Sequence, residues 1–328
     1  MKVTMAHGSG GRSTSELIDN IFAKHFSNEI LNQMEDSAVV PASKNIAVTT
    51  DSFVVNPIEF PGGDIGRLCV CGTVNDLLMR GAQPKYLTCG FILEEGVEFE
   101  VLERIVKSMA NTAREAGVVI VAGDTKVVEG KGGMYINTAG VGFIEEDRDI
   151  SAYNLKSGDV VVVSGTMGEH HAAILSGRMG IENDIKSDLA PLNEMVMGLL
   201  KNNISVHTLR DVTRGGLATV LKELAKTSGL EIMLEEEKLP VLPQVKDLCG
   251  LLGLDPLYMG NEGKLVAIVD ENDSQRAVEI IKESKYGENA AIIGKVQNGE
   301  NGALKVKTEI GGIRNMDVLQ GEGLPRIC

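Results

Sequence analysis

Short runs of apolar and β-branched residues recur along this chain, and most are separated by stretches with helical periodicity. In the first half the runs are "NIAVTTDSFVV" (45–55), "YLTCGFIL" (86–93), "VVIVAGD" (118–124) and "MYINTAGVGFI" (134–144). Each has the length and composition of a strand. "HGSGGRSTSELIDNIFAKHF" (7–26) is a glycine-rich turn before an amphipathic helix, with Ser13, Thr14 or Ser15 available as N-cap. "GDIGRLCVCGTVNDLLMRGA" (63–82) reads as a helix interrupted by glycine, and "FEVLERIVKSMANTAREAG" (99–117) as a long helix closed by Gly117.

The polar stretch "EEDRDISAYNLKSGD" (145–159) breaks the pattern, which restarts at "VVVVSG" (160–165). Helices are expected at "EHHAAILSGRMG", at "APLNEMVMGLLKNN" behind its proline, at "LATVLKELAKTSG", at "QVKDLCGLLG" and at "SQRAVEIIKES". "HTLRDVTRGG" (207–216) reads as a turn, and "LEIMLE", "KLVAIVD", "AAIIGKV" and "ALKVKTEI" as strands. The order implies an α/β (α+β) fold of mixed sheets flanked by helices. It divides into a first unit over 1–148, a second over 149–316 and a tail over 317–328, expected to be flexible because it holds Gly321 and Gly323. A chain of 328 residues is also long for one core, which favours two domains.

The net charge is −14, from 46 acidic and 32 basic residues, and no basic stripe relieves it. Nucleic acid is therefore excluded as the main partner. The start "MKVTMAHGSGG" lacks the apolar stretch of a signal peptide, and no apolar run approaches membrane-spanning length. With five cysteines and no secretion signal, reduced thiols in the cytoplasm are expected. "CVCG" (Cys69, Cys71) has the look of a metal or redox pair. On a helix, however, positions two apart differ by about 200° around the axis, so these are read as two small buried residues.

Four aspartates stand where oxygen ligands are useful. Asp51 in "TTDSF", Asp124 in "AGDTKV" and Asp211 in "RDVTRGG" end strands or tight turns, and Asp76 in "VNDLL" adds a helical carboxylate beside Asn75. One such residue is ordinarily a turn or cap aspartate, but four flanked by small residues point to a Mg²⁺–phosphate site. The turns "HGSGGRS" and "TRGGLA" lead into helices and are placed to offer backbone N–H groups to phosphate. Neither matches the Walker or dinucleotide glycine pattern, so a nucleotide here requires another fold.

"GNEGK" sets Glu262 between glycines, where it is either a turn residue or, in a cleft, a general base. Lys126, two residues after Asp124, is placed to steady a phosphate or polarise a carbonyl; the bland alternative is a solvated lysine. "EHH" (Glu169, His170, His171) suggests zinc, but adjacent helical residues point about 100° apart and no third ligand is suitably spaced. The final residue, Cys328, has its own α-carboxylate beside it, which pushes a thiol pKa up rather than down. Such a thiol suits a handle modified by another enzyme better than a nucleophile. A terminal cysteine of no consequence is the ordinary alternative.

Together "AHGSGGR", "TTDSFVV", "PGGDIG", "GTVNDLLMRGAQP", "FILEEG", "AGDTKVV", "INTAGVG", "DVTRGGLA", "GNEGK" and the terminal "LPRIC" resemble the hydrogenase maturation factor HypE family, within the PurM-like superfamily of aminoimidazole ribonucleotide synthetase and selenophosphate synthetase. The resemblance runs from the first ten residues to the last. It implies a two-domain PurM-like fold, the first domain binding ATP and pairing in a homodimer. It implies an ATP-dependent dehydratase that converts a carboxamide on the C-terminal thiol to a thiocyanate, the source of hydrogenase cyanide ligands. The implied partners are the carbamoyltransferase HypF, which loads the thiol, and an iron-carrying HypC–HypD complex, which receives the cyano group.

By motif position the resemblance assigns Asp51, Asp76 and Asp124 to Mg²⁺ and phosphates, with Asn75 nearby. Gly8, Ser9, Gly10, Gly11, Thr125 and Asp211 belong with the nucleotide. Glu262 and Lys126 are candidates for proton transfer and for orienting the carboxamide carried by Cys328. The rival within the superfamily is a selenophosphate synthetase or small-molecule kinase, but "AHGSGGR" has no cysteine and neither explains the terminal one. A non-catalytic nucleotide-binding scaffold is the rival from another class.

Overall fold

The computed structural model describes residues 2–8, 12–33, 38, 40–145, 148–319 and 328. It opens with α1 (Arg12–Leu17), a π-helical stretch over Ile18–Ala23 and α2 (Lys24–Phe26), which run on as one helix. Ser13, Thr14 and Ser15 therefore lie inside the helix rather than at its cap, and the Thr14 hydroxyl donates to the Ala6 carbonyl at 3.4 Å. The first unit continues with β1 (Asn45–Phe53), a short hairpin of β2 (Glu59–Phe60) and β3 (Gly63–Asp64), and α3 (Ile65–Met79). It is completed by β4 (Gln83–Glu94), α4 (Phe99–Glu115), β5 (Val119–Val128) and β6 (Met134–Ile144).

The four long strands form one sheet in the order β1-β6-β4-β5, antiparallel except for the β4–β5 pair. Alternation sorts their side chains: Leu87, Cys89, Phe91 and Leu93 point inward, while Ile92 and Tyr135 stand on the open face. Helix α3 covers the inner face. Its glycines do not interrupt it; they let neighbours come close. A Cβ at Gly66 would sit 2.3 Å from the Ile105 carbonyl oxygen of α4, and one at Gly72 would sit 2.9 Å from the Phe53 ring. Because α3 is enclosed on every side, Cys69 and Cys71 are both fully buried although they point apart, and both are free thiols.

The second unit comprises β7 (Val160–Val163), α5 (Glu169–Met179), α6 (Asn193–Lys201), β8 (Val206–Asp211), α7 (Gly216–Ser228) and β9 (Glu231–Glu235). It ends with α8 (Pro243–Leu252), β10 (Leu265–Val269), α9 (Ser274–Glu283), β11 (Ala291–Gln297), β12 (Leu304–Lys307) and β13 (Ile313–Met316). Its sheet has seven strands in the order β13-β12-β9-β11-β7-β10-β8, with β12 parallel to β9. Strand β8 corrects the reading of "HTLRDVTRGG" as a turn: residues up to Asp211 pair antiparallel with β10, and the turn begins only at Val212.

This sheet is buried on both faces, which is why its central strands read as unbroken apolar runs. Val161, Val163, Val266 and Ile268 join the core under α7, whereas Val160, Val162, Leu265, Ala267 and Val269 join the core that contains α3 and the first sheet. One apolar cluster thus runs from the first unit through α6 and α9 into the second. The start of the tail is tied down: the Tyr258 hydroxyl donates to the Asp317 carbonyl at 2.9 Å, and the Leu319 amide to the Thr219 hydroxyl at 3.1 Å. Gly321, Gly323 and Pro325 lie outside the described residues.

Candidate active site

The carboxylates of the two units meet where α3 crosses the ends of β1 and β8. Thr49, Asp51 and Phe53 occupy alternate positions of β1 and share the face covered by α3. The Thr49 hydroxyl donates to Asp76 Oδ2 at 2.8 Å. Asp51 shares a hydrogen bond with the same carboxylate, and its pKa is raised to about 6, first by burial and then by the charge of Asp76, against the pull of Arg214. Asp211, at the end of β8, is raised to about 7 by burial and the Asp76 charge, with Arg210 opposing. A pair of carboxylates pressed together in this way has a standing demand for a cation.

Glu262 is 4% exposed, and its Oε1 is buried with no hydrogen-bond partner among the described residues. Burial, then Asp211 and Asp188, push its pKa well above the ordinary value, and Arg214 pulls the other way. The glycine after it is required by packing: a Cβ at Gly263 would fall 1.9 Å from the Asp188 carbonyl oxygen. The "TRGG" turn carries a backbone demand as well, since Gly215 and Gly216 have φ of +79° and +65°. That turn presents Arg214 to the carboxylates.

Cys328 lies in the same place. Its thiol is raised to about 12, by burial first, then by Glu262 and Asp51, with Arg214 opposing, and its side chain packs against the shared core. The structure therefore gathers Asp51, Asp76, Asp211, Glu262 and Cys328 around one centre, with Arg214 as its cation. Beside it a cleft of about 700 Å³ opens between β1 and α3 on one side and β8 and α7 on the other, with Asp76 and Asp211 in its wall.

Other residues singled out in the sequence stand apart. Asp124, Thr125 and Lys126 lie on the outermost strand β5. Their pairing with β4 sets Thr125 level with the inward Phe91, so Asp124 and Lys126 face the open side of the sheet, away from Asp51. There Lys126 Nζ holds both Asp124 oxygens at 2.7 and 2.6 Å, and this bond holds the Asp124 carboxyl below its usual range. Thr125 and Asp124 border a second cavity of about 250 Å³ under the first helix, walled by Phe22 and Phe91. Asp51, Asp76 and Asp124 thus do not form one ligand set within a single chain, and among the described residues no group of three His, Cys, Asp or Glu is arranged to hold a metal.

Asn75 also departs from its expected place. Its amide donates to the Ala190 carbonyl at 3.1 Å and accepts from the Leu192 amide at 3.0 Å, so it acts as a buried clamp rather than facing the carboxylates. Gly8 ends a 3₁₀ turn over Met5–Gly8, while Ser9, Gly10 and Gly11 lie outside the described residues. The "EHH" group forms no triad: Glu169 bonds Thr166, His170 Nδ1 pairs with the Ser187 hydroxyl at 2.8 Å, and burial lowers His171 to about 4.

Sequence reasoning overlooked Arg214, Thr49 and Asp188. The first two sit inside or beside motifs already singled out, so their signal was present. Asp188 lies in a long connecting stretch without any pattern.

A family profile described as AIR synthase related protein, N-terminal domain, matches residues 34–144, and its C-terminal domain counterpart matches residues 156–307. The carbamoyl dehydratase HypE of Cupriavidus necator is 49% identical over 100% of this chain and 95% of its own length. A solved structure of the hydrogenase maturation protein HypE in complex with ATP superposes with a TM-score of 0.95 at 46% identity, covering 99% of both chains. The chain in a HypE–HypF complex does so with a TM-score of 0.81 at 48% identity, covering 92% of this chain and 99% of that one. With this fold, this likeness from end to end and a terminal cysteine set among acidic groups, the chain belongs to the HypE family of carbamoyl dehydratases.

Proposed function

We propose that this protein is an ATP-dependent carbamoyl dehydratase that acts on its own C-terminus, converting an S-carboxamide on Cys328 to a thiocyanate for the cyanide ligands of a [NiFe]-hydrogenase. The observation that carries the reading is the position of Cys328 beside Glu262, Asp51 and Arg214. A thiol held at about 12 is a poor nucleophile at neutral pH and a suitable carrier, loaded elsewhere and returned to the site.

The carboxamide oxygen attacks the γ-phosphorus of ATP and ADP departs. Both N–H protons then leave the nitrogen as the C–O bond to phosphate breaks. The balance is RS–C(O)NH₂ + ATP → RS–C≡N + ADP + phosphate + H⁺. Phosphorylation is needed because an amide oxygen does not leave unaided. Glu262 takes an N–H proton: its burial and its acidic neighbours raise its proton affinity, which strengthens it as a base. Arg214 balances the negative charge shared by Glu262, Asp51 and the tail.

The paired oxygens of Asp51 and Asp76 fit a hard divalent cation, Mg²⁺, which when bound neutralises charge on the transferring phosphoryl group. Asp211 borders the cleft in which we place ATP, and its volume of about 700 Å³ is ample for a nucleotide. Gly8, Ser9, Gly10 and Gly11 are assigned to the same site by motif position.

A homodimer completes this site. Ile46 and Val48 at one end of the first sheet and Ile92 and Tyr135 at the other are exposed apolar residues on its open face. A pairing that sets β5 of one copy beside β1 of the other delivers Asp124, Thr125 and Lys126 to the carboxylates, where Lys126 can orient the carboxamide. We divide the chain at 148/149 and 316/317, a division supported by profile matches over 34–144 and 156–307. HypF is the proposed source of the carboxamide, supported by the solved HypE–HypF complex, and HypC–HypD the proposed acceptor of the cyano group. Among the described residues no helix is long and apolar enough to cross a membrane, and we place the reaction in the cytoplasm.

The test is intact mass spectrometry of the carbamoylated chain with Mg²⁺ and ATP. Loss of one water from the C-terminal peptide, with one ADP formed, is expected. A carboxamide that persists while ATP is bound would refute the reading.

A further inference from the structure

We propose that the segment Ser187–Leu192 is a strap that locks the loop of Glu262 to the helix of Asp76, with Asn75 and Asp188 as its positioning residues. The proposal rests on the dehydratase reading above.

The strap is bound on both sides. Toward the first unit, Asn75 holds the Ala190 carbonyl and the Leu192 amide at 3.1 and 3.0 Å. Arg67 Nε donates to the Leu189 carbonyl at 3.2 Å, and the Ser187 amide donates to the Pro61 carbonyl at 2.8 Å. Toward the base loop, the Asp188 carboxylate accepts the backbone amides of Glu262 and Gly263 at 3.1 and 3.3 Å. Lys264 Nζ lies 3.5 Å from the same carboxylate, whose side chain is 1% exposed.

A buried carboxylate is costly unless it is saturated, and saturating this one ties together three consecutive residues around the base. An apolar residue would fill the space at less cost but would remove these bonds, leaving the Ala190 amide, 3.5 Å from the Glu262 carbonyl, to hold the loop to the strap. Asn75 is covalently next to Asp76, so clamping its amide also fixes how α3 presents that carboxylate. The two halves of the reaction, phosphorylation at Asp76 and proton removal at Glu262, are thereby held at one separation, and a loss of about 1 Å in such alignment costs up to roughly a hundredfold in rate.

The experiment compares Asn75→Ala, Asp188→Ala and the double variant, each carbamoylated on Cys328, in single-turnover dehydration and in Mg²⁺–ATP binding. Expected are a rate lowered about tenfold or more in each single variant, nucleotide affinity within about twofold of the parent, and a double variant no slower than the slower single one. The last result follows because Asn75 and Asp188 act through one strap. Rate losses that multiply in the double variant, or an unchanged rate in either single one, overturn the proposal. So does Asn75→Ala weakening nucleotide binding while the saturated rate is kept, since Asn75 would then be a ligand. Asp188→Asn, which keeps one acceptor for two amides, repeats the measurement if Asp188→Ala does not fold. Failure of the parent chain to lose water would sink the dehydratase reading instead, so the two failures are distinguishable.

Discussion

Asp51 and Asp124 stand on the two outermost strands of one four-stranded sheet and face opposite ways. Asp51 is paired with Thr138 on the side covered by α3, while Asp124, level with Gly90, looks out from the open side. Three strand spacings of about 4.8 Å separate them, so a single chain cannot close both carboxylates on one phosphate group. What Asp51 lacks within its own chain, a second copy can supply.

Mixing inactive variants tests this arrangement. Asp51→Ala and Asp124→Ala are each expected to be inactive as homodimers, whereas a randomly re-associated mixture regains about a quarter of parental turnover, because half the dimers are mixed and each has one intact site. A mixture as inactive as its parents would mean that both residues act within one chain.

Replacing the carrier separates loading from nucleotide binding. Cys328→Ala should take up no carboxamide and form no thiocyanate while binding ATP as the parent does. In the parent, alkylation of Cys328 by iodoacetamide at pH 8 should be about a hundredfold or more slower than that of a free cysteine, since the thiol is raised to about 12. Peptide mapping after timed alkylation gives the rate. Reaction at the speed of an exposed thiol would place Cys328 outside the acidic pocket.

Glu262→Gln should still accept the carboxamide but dehydrate it about 10²–10⁴-fold more slowly. In the parent, the rate rises with pH through the raised pKa of Glu262, because only the ionised form accepts a proton. The variant should lose this limb. Equal rates and identical pH profiles would remove Glu262 from the chemistry.

Asp51 and Asp211 make the metal-free protein sensitive to pH. Their carboxyls titrate at about 6 and about 7 in the folded chain against an ordinary value of 3.8, so the folded form binds more protons between these limits. Their contribution to stability is full below pH 3.8 and is lost as the pH rises through 6 and 7. Asp211→Asn should flatten this decline and raise the melting temperature at pH 8 by about 2 °C or more. Calorimetry from pH 4 to 8 checks it, and an unchanged slope in the variant would contradict it.

The architecture was readable because its period is physical: β7 and β10 are unbroken apolar runs since both faces of their sheet are covered. The strand β8 was missed because polar Arg210 and Asp211 at its end resemble turn residues, and only pairing with β10 makes them extended. Asp211 was legible as an acid at a strand end, Glu262 as one between glycines and Asp76 as a helical carboxylate; Asp51, expected at an element end, lies inside β1. Asn75 was misplaced because neighbours on a helix point about 100° apart, so adjacency to Asp76 does not imply a shared target. The direction in which Asp124 faces depends on register with β4, which periodicity alone does not supply.

The apolar cluster that joins α3, α6, α9 and one face of the seven-stranded sheet has a consequence for how this chain can be taken apart. Cut between its halves, the second would lose α3 from beside β8 and keep only α6 and α9 over that face of its sheet, and the first would lose the wall that encloses α3. Neither fragment should be soluble alone, and heating should give a single cooperative transition. The two profile matches cover separate stretches of the chain, but one apolar cluster spans both.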